Sequence, residues 1–71
     1  MEMISVSSSN LAAVGYDHDS ATLRIEFLNG GIYDYSGVPS DVHEALMSAG
    51  SKGQFFDQNI KKGGYPFSKL S

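Results

Sequence analysis

The chain has 71 residues, no cysteine and a formal charge of −3. Its length excludes two domains and a large active-site cleft, so we predict a single domain spanning residues 1–71. The 41% of hydrophobic residues is enough for a small core and too high for a disordered chain. The lack of cysteine excludes disulfides, thiolate metal sites and a cysteine nucleophile.

The charge is distributed unevenly along the chain. Residues 1–50 carry seven acids and one base, a net charge of −6, whereas residues 51–71 carry four lysines and one acid, a net charge of +3. Such asymmetry is typical of an interaction surface. No apolar run approaches the ~20 residues of a membrane span, and the N-terminal MEMISVSSSN lacks the features of a secretory signal. We therefore expect a cytoplasmic protein that makes no membrane contact.

An alternation of period two between Leu11 and Tyr35 predicts an antiparallel meander after a polar bend at residues 7–10. The first turn is predicted at residues 17–20, with Tyr16 opposite Ala21. For the second turn, a two-residue loop would place Asp34 on the apolar face, where an unpaired carboxylate is costly. A three-residue loop at residues 29–31 avoids this cost, with Gly31 as the left-handed residue and Ile25 opposite Tyr35.

This pairing gives the predicted sheet two different faces. The apolar face consists of Ala12, Val14, Tyr16, Leu23, Ile25, Phe27, Tyr33 and Tyr35. The polar face consists of Arg24, Glu26, Asp34 and Ser36, with Leu28 as an exception.

After Pro39 the period changes to that of a helix. Ser40 is the predicted N-cap, and Gly50 is the predicted left-handed stop. The apolar residues between them recur at helical spacing and form one face: Val42, Ala45, Leu46 and Ala49.

A second helix is predicted to begin at Ser51, with Gln54 three residues later as in a capping box. Phe56 and Ile60 lie one turn apart on its buried side, and Phe55 is expected to be half exposed. The helix ends at Gly63–Gly64, and residues 65–67 extend back to the sheet edge or over the core. The predicted fold is thus α+β: a small antiparallel meander of three to four strands, two short helices on one sheet face and a short C-terminal extended segment.

No catalytic constellation is found. The sequence has no nucleophile elbow, phosphate loop or H-E-x-x-H motif. Asp17, His18 and Asp19 follow one another in a turn and point in different directions, so a solvated turn is favoured over a metal site. His43 is interpreted as a surface histidine without a partner. We therefore predict no enzyme activity, no cofactor and no metal.

Two features are candidates for nucleic-acid binding. Tyr33 and Tyr35 could stack bases as on a single-strand platform, although the register favours core positions. The C-terminal lysines alternate with aromatic residues, which suits an RNA surface, although helix-end lysines also offset the helix dipole. The candidate contact residues are Tyr33, Tyr35, Lys52, Phe55, Lys61, Lys62 and Lys69.

An ordered set of short motifs resembles the KTSC domain family over about residues 5–69. The set comprises Ser8–Ser9–Asn10, Gly15–Tyr16–Asp17, Leu23-x-Ile25-x-Phe27-x-x-Gly30-x-x-Tyr33-x-Tyr35-x-x-Val38–Pro39, Val42, Leu46, Ala49-x-Ser51-x-Gly53-x-Phe55–Phe56, Ile60, Tyr65 and Lys69. The central Y-x-Y is the hallmark of the family.

The resemblance implies a small stand-alone bacterial or phage-type protein similar to the C-terminal domain of some lysyl-tRNA synthetases. The family has no established activity, but RNA binding is suggested for it. Carried over by position, that suggestion involves Tyr33, Tyr35 and Lys69. The family often has Asn after the paired aromatics, where this chain has Asp57, so an anion lies near the lysines.

Three hypotheses follow. The favoured one is a weak RNA-binding or single-strand-binding module, or an accessory domain, without catalytic activity. The alternative is a protein-interaction module that docks through the sheet edge or exposed aromatics such as Phe55. An enzyme ranks last, because a chain of this size has little room for a pocket. The sequence does not define the oligomeric state.

Overall fold

The computed structural model describes residues 1–71 and consists of one open antiparallel sheet with helices on one face. The elements in chain order are β1 (Met3–Ser5), β2 (Leu11–Asp17), β3 (Thr22–Phe27), β4 (Ile32–Tyr35), α1 (Ser40–Ser48), α2 (Lys52–Phe55), a π-helical segment (Phe56–Lys61) that continues α2 directly, and β5 (Phe67–Lys69). The sheet order is β1-β2-β3-β4-β5, and every neighbouring pair is antiparallel.

The predicted α+β class is confirmed, but the sheet has five strands rather than three to four. The additional strands are the two edges, β1 and β5, each only three residues long. Segments this short contain too little alternation to be assigned as strands from sequence. The expectation that residues 65–67 return to the sheet edge is confirmed, since Phe67 pairs with Tyr35.

Pairing in the β3–β4 hairpin differs from the predicted pairing by two residues. Leu23 lies opposite Tyr35, and Ile25 lies opposite Tyr33. The loop is residues 28–30, closed by a 2.8 Å hydrogen bond from the Phe27 amide to the Gly31 carbonyl, and Gly30 is the left-handed residue, with a φ of 94°. A shift of two preserves the parity of the strand, so the predicted faces are correct although the pairs are not.

The β2–β3 pair shows the same shift of two, with Tyr16 opposite Leu23 rather than Ala21. A bulge between Leu11 and Ala13 then changes which residues face the core. Leu11 is 1% exposed, whereas Ala12, predicted for the apolar face, is only half-buried. The prediction for Ala12 is wrong because a bulge changes the alternation by one residue without leaving a pattern in the sequence.

The helices pack on the predicted face of the sheet. The core combines strand residues with Leu46 of α1 and with Phe56 and Ile60 of the π-helical segment. Its full membership is Leu11, Val14, Leu23, Ile25, Tyr35, Val38, Leu46, Phe56 and Ile60. The predicted burial of Phe56 and Ile60 and the half-burial of Phe55 are confirmed.

The ends of α1 differ from the prediction. Pro39 occupies the cap position in an extended conformation and Ser40 is already helical, because the fixed φ of proline suits the entrance of a helix. The helix ends at an extended Ala49, so Gly50 is not a left-handed stop. The cap of α2 is as predicted: the Gln54 amide donates to Ser51 Oγ over 3.4 Å.

Candidate nucleic-acid interface

An open groove lies between the β4–β5 edge of the sheet and the π-helical segment. Its volume is about 830 Å³. Phe27, Tyr33 and Phe67 line the sheet side, and Asp57 and Lys61 line the helical side. Lys69 also lines the groove, from β5. A volume of this size is within the range of small-ligand sites, about 300–1,000 Å³.

Strand pairing explains why these side chains meet. Tyr33 lies opposite Lys69, and Tyr35 lies opposite Phe67. Directly opposite residues of an antiparallel pair project to the same face, so both C-terminal side chains join the tyrosine face of the sheet. The extended tail thereby brings a cation and an aromatic ring to β4 from about 35 residues further along the chain.

The aromatic rings form a connected but incomplete layer. The Phe27 and Tyr33 rings lie edge to face, with centroids 5.6 Å apart, and the Tyr33 and Phe67 centroids are 6.0 Å apart. Phe67 also contacts the Tyr35 ring at 5.5 Å. Despite these contacts Phe67 is 61% exposed. An exposed ring beside a half-buried one offers an apolar surface to a planar ligand.

The two tyrosines of the central motif have different environments. Tyr35 is 5% exposed and belongs to the core, where burial raises the pKa of its hydroxyl, with a smaller contribution from Tyr33. Tyr33 is half-buried and lines the groove. A platform of both tyrosines is therefore not present, and the accessible rings are Tyr33 and Phe67.

The structure brings together only some of the predicted contact residues. Four of them line the groove: Tyr33, Tyr35, Lys61 and Lys69. Lys52 instead donates from Nζ to the Ala49 carbonyl over 3.2 Å, outside the groove. Such a contact satisfies a carbonyl at the end of α1, as lysines do at helix C-termini.

The other two predicted contact residues also lie outside the groove lining. Phe55 packs half-buried against the core. Lys62 lies at the groove margin, where Nζ is 3.5 Å from Asp57 Oδ2 and the lysine side chain is 70% exposed. Phe27 and Phe67 line the groove but are not among the contact residues predicted from sequence. The signal for Phe67 was present, because it lies two residues from Lys69 on an extended segment.

The polar face of the sheet contains one well-formed ion pair. Arg24 lies opposite Asp34 and donates from Nε and Nη2 to its two carboxylate oxygens, at 2.7 and 3.0 Å. These hydrogen bonds raise the pKa of Arg24, partial desolvation opposes them, and the charge of Asp34 adds to the increase. Arg24, the cation of this face, is thus paired and is not free to bind phosphate.

A second cluster joins β2, the β2–β3 turn and α1. The His43 ring stacks on Tyr16 with centroids 4.6 Å apart and planes at 8°, and His18 lies edge-on to Tyr16 at 4.8 Å. His43 is half-buried, so its interpretation as a surface histidine is wrong. The Tyr16 hydroxyl donates to the Val38 carbonyl over 2.6 Å.

Burial lowers the pKa of His43, with a smaller lowering contribution from His18 and an opposing one from Glu44. Its Nδ1 has no hydrogen-bond partner. The neighbouring turn consists of residues 18–21 rather than the predicted 17–20, and an Asp17 carboxylate oxygen accepts the Asp19 amide over 3.0 Å at its start. No group of three histidine or carboxylate side chains is arranged to hold a metal ion.

No helix of the structure is both long and apolar enough to cross a bilayer. The fold and site define a small α+β domain with one groove lined by aromatic rings and lysines. Residues 7–65 match the KTSC domain family. The chain belongs to this family, as the sequence motifs predicted.

Known relatives include proteins of similar size and much longer ones. An uncharacterized protein of Stutzerimonas stutzeri is 36% identical over 70 residues, which are 99% of each chain. A lysine–tRNA ligase of Nostoc punctiforme is 39% identical over 69 residues, which are 97% of this chain and only 12% of the ligase. The crystal structure of a KTSC domain protein from Yersinia pestis has a TM-score of 0.92 at 44% identity and covers 99% of this chain and 97% of that one.

Proposed function

We propose that this protein is a weak, non-catalytic binding module for RNA or another single-stranded nucleic acid, and that the groove is its binding site. One observation carries the proposal: Lys61 and Lys69, from different elements, line the same groove as the exposed Phe67 ring and Tyr33. Single-strand sites combine cations that contact phosphates with rings on which bases stack.

The comparisons support the same class of ligand. The relatives include lysine–tRNA ligases, whose name states that they act on tRNA. The net charge of −3 argues against broad electrostatic binding, so we expect weak binding confined to this groove. The groove lining contains no histidine or cysteine, the side chains that most often act as base or nucleophile, which favours binding over catalysis. The proposal includes a cytoplasmic location, because an RNA ligand and a sequence without cysteine are both compatible with that compartment.

Fluorescence anisotropy with a labelled ten-nucleotide RNA that contains all four bases, at low salt, tests the proposal. We expect Phe67→Ala to weaken binding by about tenfold, because stacking contributes ~1–3 kcal/mol per base. Lys61→Ala and Lys69→Ala should weaken binding and reduce the salt dependence. The slope of log affinity against log salt should decrease in magnitude by about 0.7 for each phosphate that is no longer neutralised.

Lys52→Ala is the matched control, because it removes the same charge outside the groove. The proposal fails if the wild-type protein does not bind the RNA. It also fails if Lys52→Ala weakens binding as much as the two groove variants, since binding would then depend on net charge alone.

A protein partner is the second candidate, and the β5 edge favours it. β5 is a three-residue edge strand whose residues are all exposed, and Leu70 beyond it is 51% exposed. An open edge with apolar side chains can accept another strand. Capture of a partner from nuclease-treated lysate that is lost with Phe67→Ala and Leu70→Ser but kept with Ile4→Ser, on the opposite edge, would support this function.

A further inference from the structure

We propose that Asp57 makes the groove selective for guanine by accepting hydrogen bonds from the edge of a base stacked on Phe67 and Tyr33. This inference rests on the proposed function and names the ligand within it. Among the side chains that line the groove, Asp57 is the only carboxylate. An anion at this position would repel phosphate, so phosphate binding alone does not explain the presence of the Asp57 carboxylate.

Asp57 has acceptor capacity that the protein does not use. Its only side-chain partner is the Lys62 ammonium, 3.5 Å from Oδ2. That lysine is 70% exposed, so the pair is weak and easily rearranged. A carboxylate has two oxygens with about four acceptor positions, and the Asp57 side chain is 46% exposed where it lines the groove, so a ligand can reach them.

The position of Asp57 complements the aromatic side of the groove. It lies at the start of the π-helical segment, across from the sheet strands that carry Tyr33 and Phe67. Lys61 follows one turn later on the same helical face. A base whose face rests on the rings would therefore direct an edge toward the helical side, with a lysine beside it for the adjoining phosphate.

The chemistry of the four bases then favours one of them. Guanine presents two adjacent donors, N1–H and the 2-amino group, which match the two oxygens of a carboxylate. Adenine and cytosine each present one amino donor beside a ring-nitrogen acceptor, which a carboxylate repels. Uracil presents its single N–H between two carbonyl oxygens. Bidentate hydrogen bonds to an ionised group are strong and directional, and base edges are read in this way in single-stranded RNA.

The alternative account is that Asp57 only balances the charges of Lys61 and Lys62. The two accounts predict opposite effects of Asp57→Asn, a substitution of nearly equal size. A charge-balancing carboxylate repels every RNA, so its removal would raise affinity for all sequences alike. A base-reading carboxylate is specific, so its removal would lower affinity for guanine-containing RNA relative to the others.

Anisotropy titrations with four labelled seven-nucleotide RNAs distinguish these accounts. One RNA contains only uridine, and the other three carry guanosine, inosine or adenosine at the central position of the same oligouridine. Inosine keeps N1–H but lacks the 2-amino group. For the wild-type protein we expect guanine to bind about tenfold tighter than adenine, with inosine between them, since a good bidentate pair contributes ~1–3 kcal/mol of discrimination. In Asp57→Asn the four affinities should agree within about twofold.

Thermal unfolding of Asp57→Asn checks that the variant is folded, and Lys69→Ala provides the matched comparison, because it should weaken all four RNAs by the same factor. The inference is overturned if the wild-type protein binds the four RNAs equally, or if Asp57→Asn raises all four affinities together. If none of the four RNAs binds, the proposed function is overturned, and the guanine assignment is overturned with it.

Discussion

Gly53 lies directly against the side-chain amide of Asn10, so that a Cβ atom at position 53 would overlap Asn10 Oδ1. Gly53 is buried at the start of α2, and Asn10 ends the polar bend before β2. Ser8 holds that bend by accepting the Leu11 amide on Oγ over 3.3 Å. The contact therefore attaches the second helix to the loop that leads into the sheet.

Replacing Gly53 by alanine should destabilise the fold by at most about 1 kcal/mol, because the added methyl group would displace the exposed Asn10 side chain whereas alanine itself favours the helix. The free energy of unfolding is measured by urea denaturation. Gly50→Ala is the control, since no atom lies within 4 Å of a Cβ at that position. Asn10→Gly should recover part of the loss in a double variant with Gly53→Ala. An additive double variant would show that the contact is not the cause.

The Arg24–Asp34 pair on the open sheet face should contribute measurably to stability. A double-mutant cycle with Arg24→Met and Asp34→Asn is expected to give a coupling energy of about 1 kcal/mol, because the hydrogen bonds are bidentate and both side chains are partly buried. The Lys62–Asp57 pair, longer and more exposed, serves as the comparison and should couple near zero. Equal coupling energies for the two pairs would contradict this ranking.

Removing the Tyr16 hydroxyl should cost about 1–2 kcal/mol. Tyr16→Phe deletes the 2.6 Å hydrogen bond to the Val38 carbonyl and leaves an acceptor of a fully buried residue without this partner. Tyr65→Phe is the matched control, because the Tyr65 hydroxyl forms no hydrogen bond in the structure, and it should unfold close to the wild-type midpoint. A midpoint for Tyr16→Phe equal to that of Tyr65→Phe would exclude this role for the hydroxyl.

Stability should fall as the pH drops below about 6.5, and His43 should account for part of the fall. Burial lowers the pKa of folded His43 below its ordinary value of 6.5. In this range the unfolded chain binds the proton first, so acid favours unfolding and the contribution of neutral His43 is complete only above about pH 6.5.

Thermal midpoints of the wild-type protein and His43→Phe between about pH 7.5 and 5 test this prediction. Phenylalanine keeps a ring against Tyr16 but does not titrate, so the variant should show a smaller loss in acid. His18→Gln should retain most of the pH dependence, because desolvation rather than His18 is the main cause of the lowered pKa. Parallel curves for the wild-type protein and His43→Phe would refute the assignment.

Most of the fold could be predicted from the period-two alternation of the strand residues and the helical spacing of the apolar residues. The placement of Val14, Leu23, Ile25 and Tyr35 on one face followed from parity alone, which is why it survived a pairing error of two residues in each hairpin. The pairing itself depends on which glycine takes the left-handed position. Gly30 and Gly31 are adjacent glycines, and the sequence pattern allows either to take the left-handed position. The observed register, with Gly30 in that position, is the one that places Arg24 opposite Asp34.

The candidate site was less predictable, because it depends on contacts between distant segments. Lys61 and Lys69 were selected from sequence, but so were Lys52 and Phe55, which the fold directs elsewhere. Charge and composition identify a lysine, whereas the β4–β5 register decides whether it faces Tyr33. The half-burial of His43 likewise follows from the approach of α1 to Tyr16, which periodicity along α1 does not encode.

The sequential strand order also separates the two ends of the chain. Met1 lies near the β1 edge, whereas Ser71 lines the groove beyond β5, four strand spacings or roughly 19 Å away across the sheet. A fluorophore, affinity tag or additional domain joined before Met1 would therefore leave the groove open. The same addition after Ser71 would begin inside it and compete with any ligand, so binding assays should carry their labels at the N-terminus.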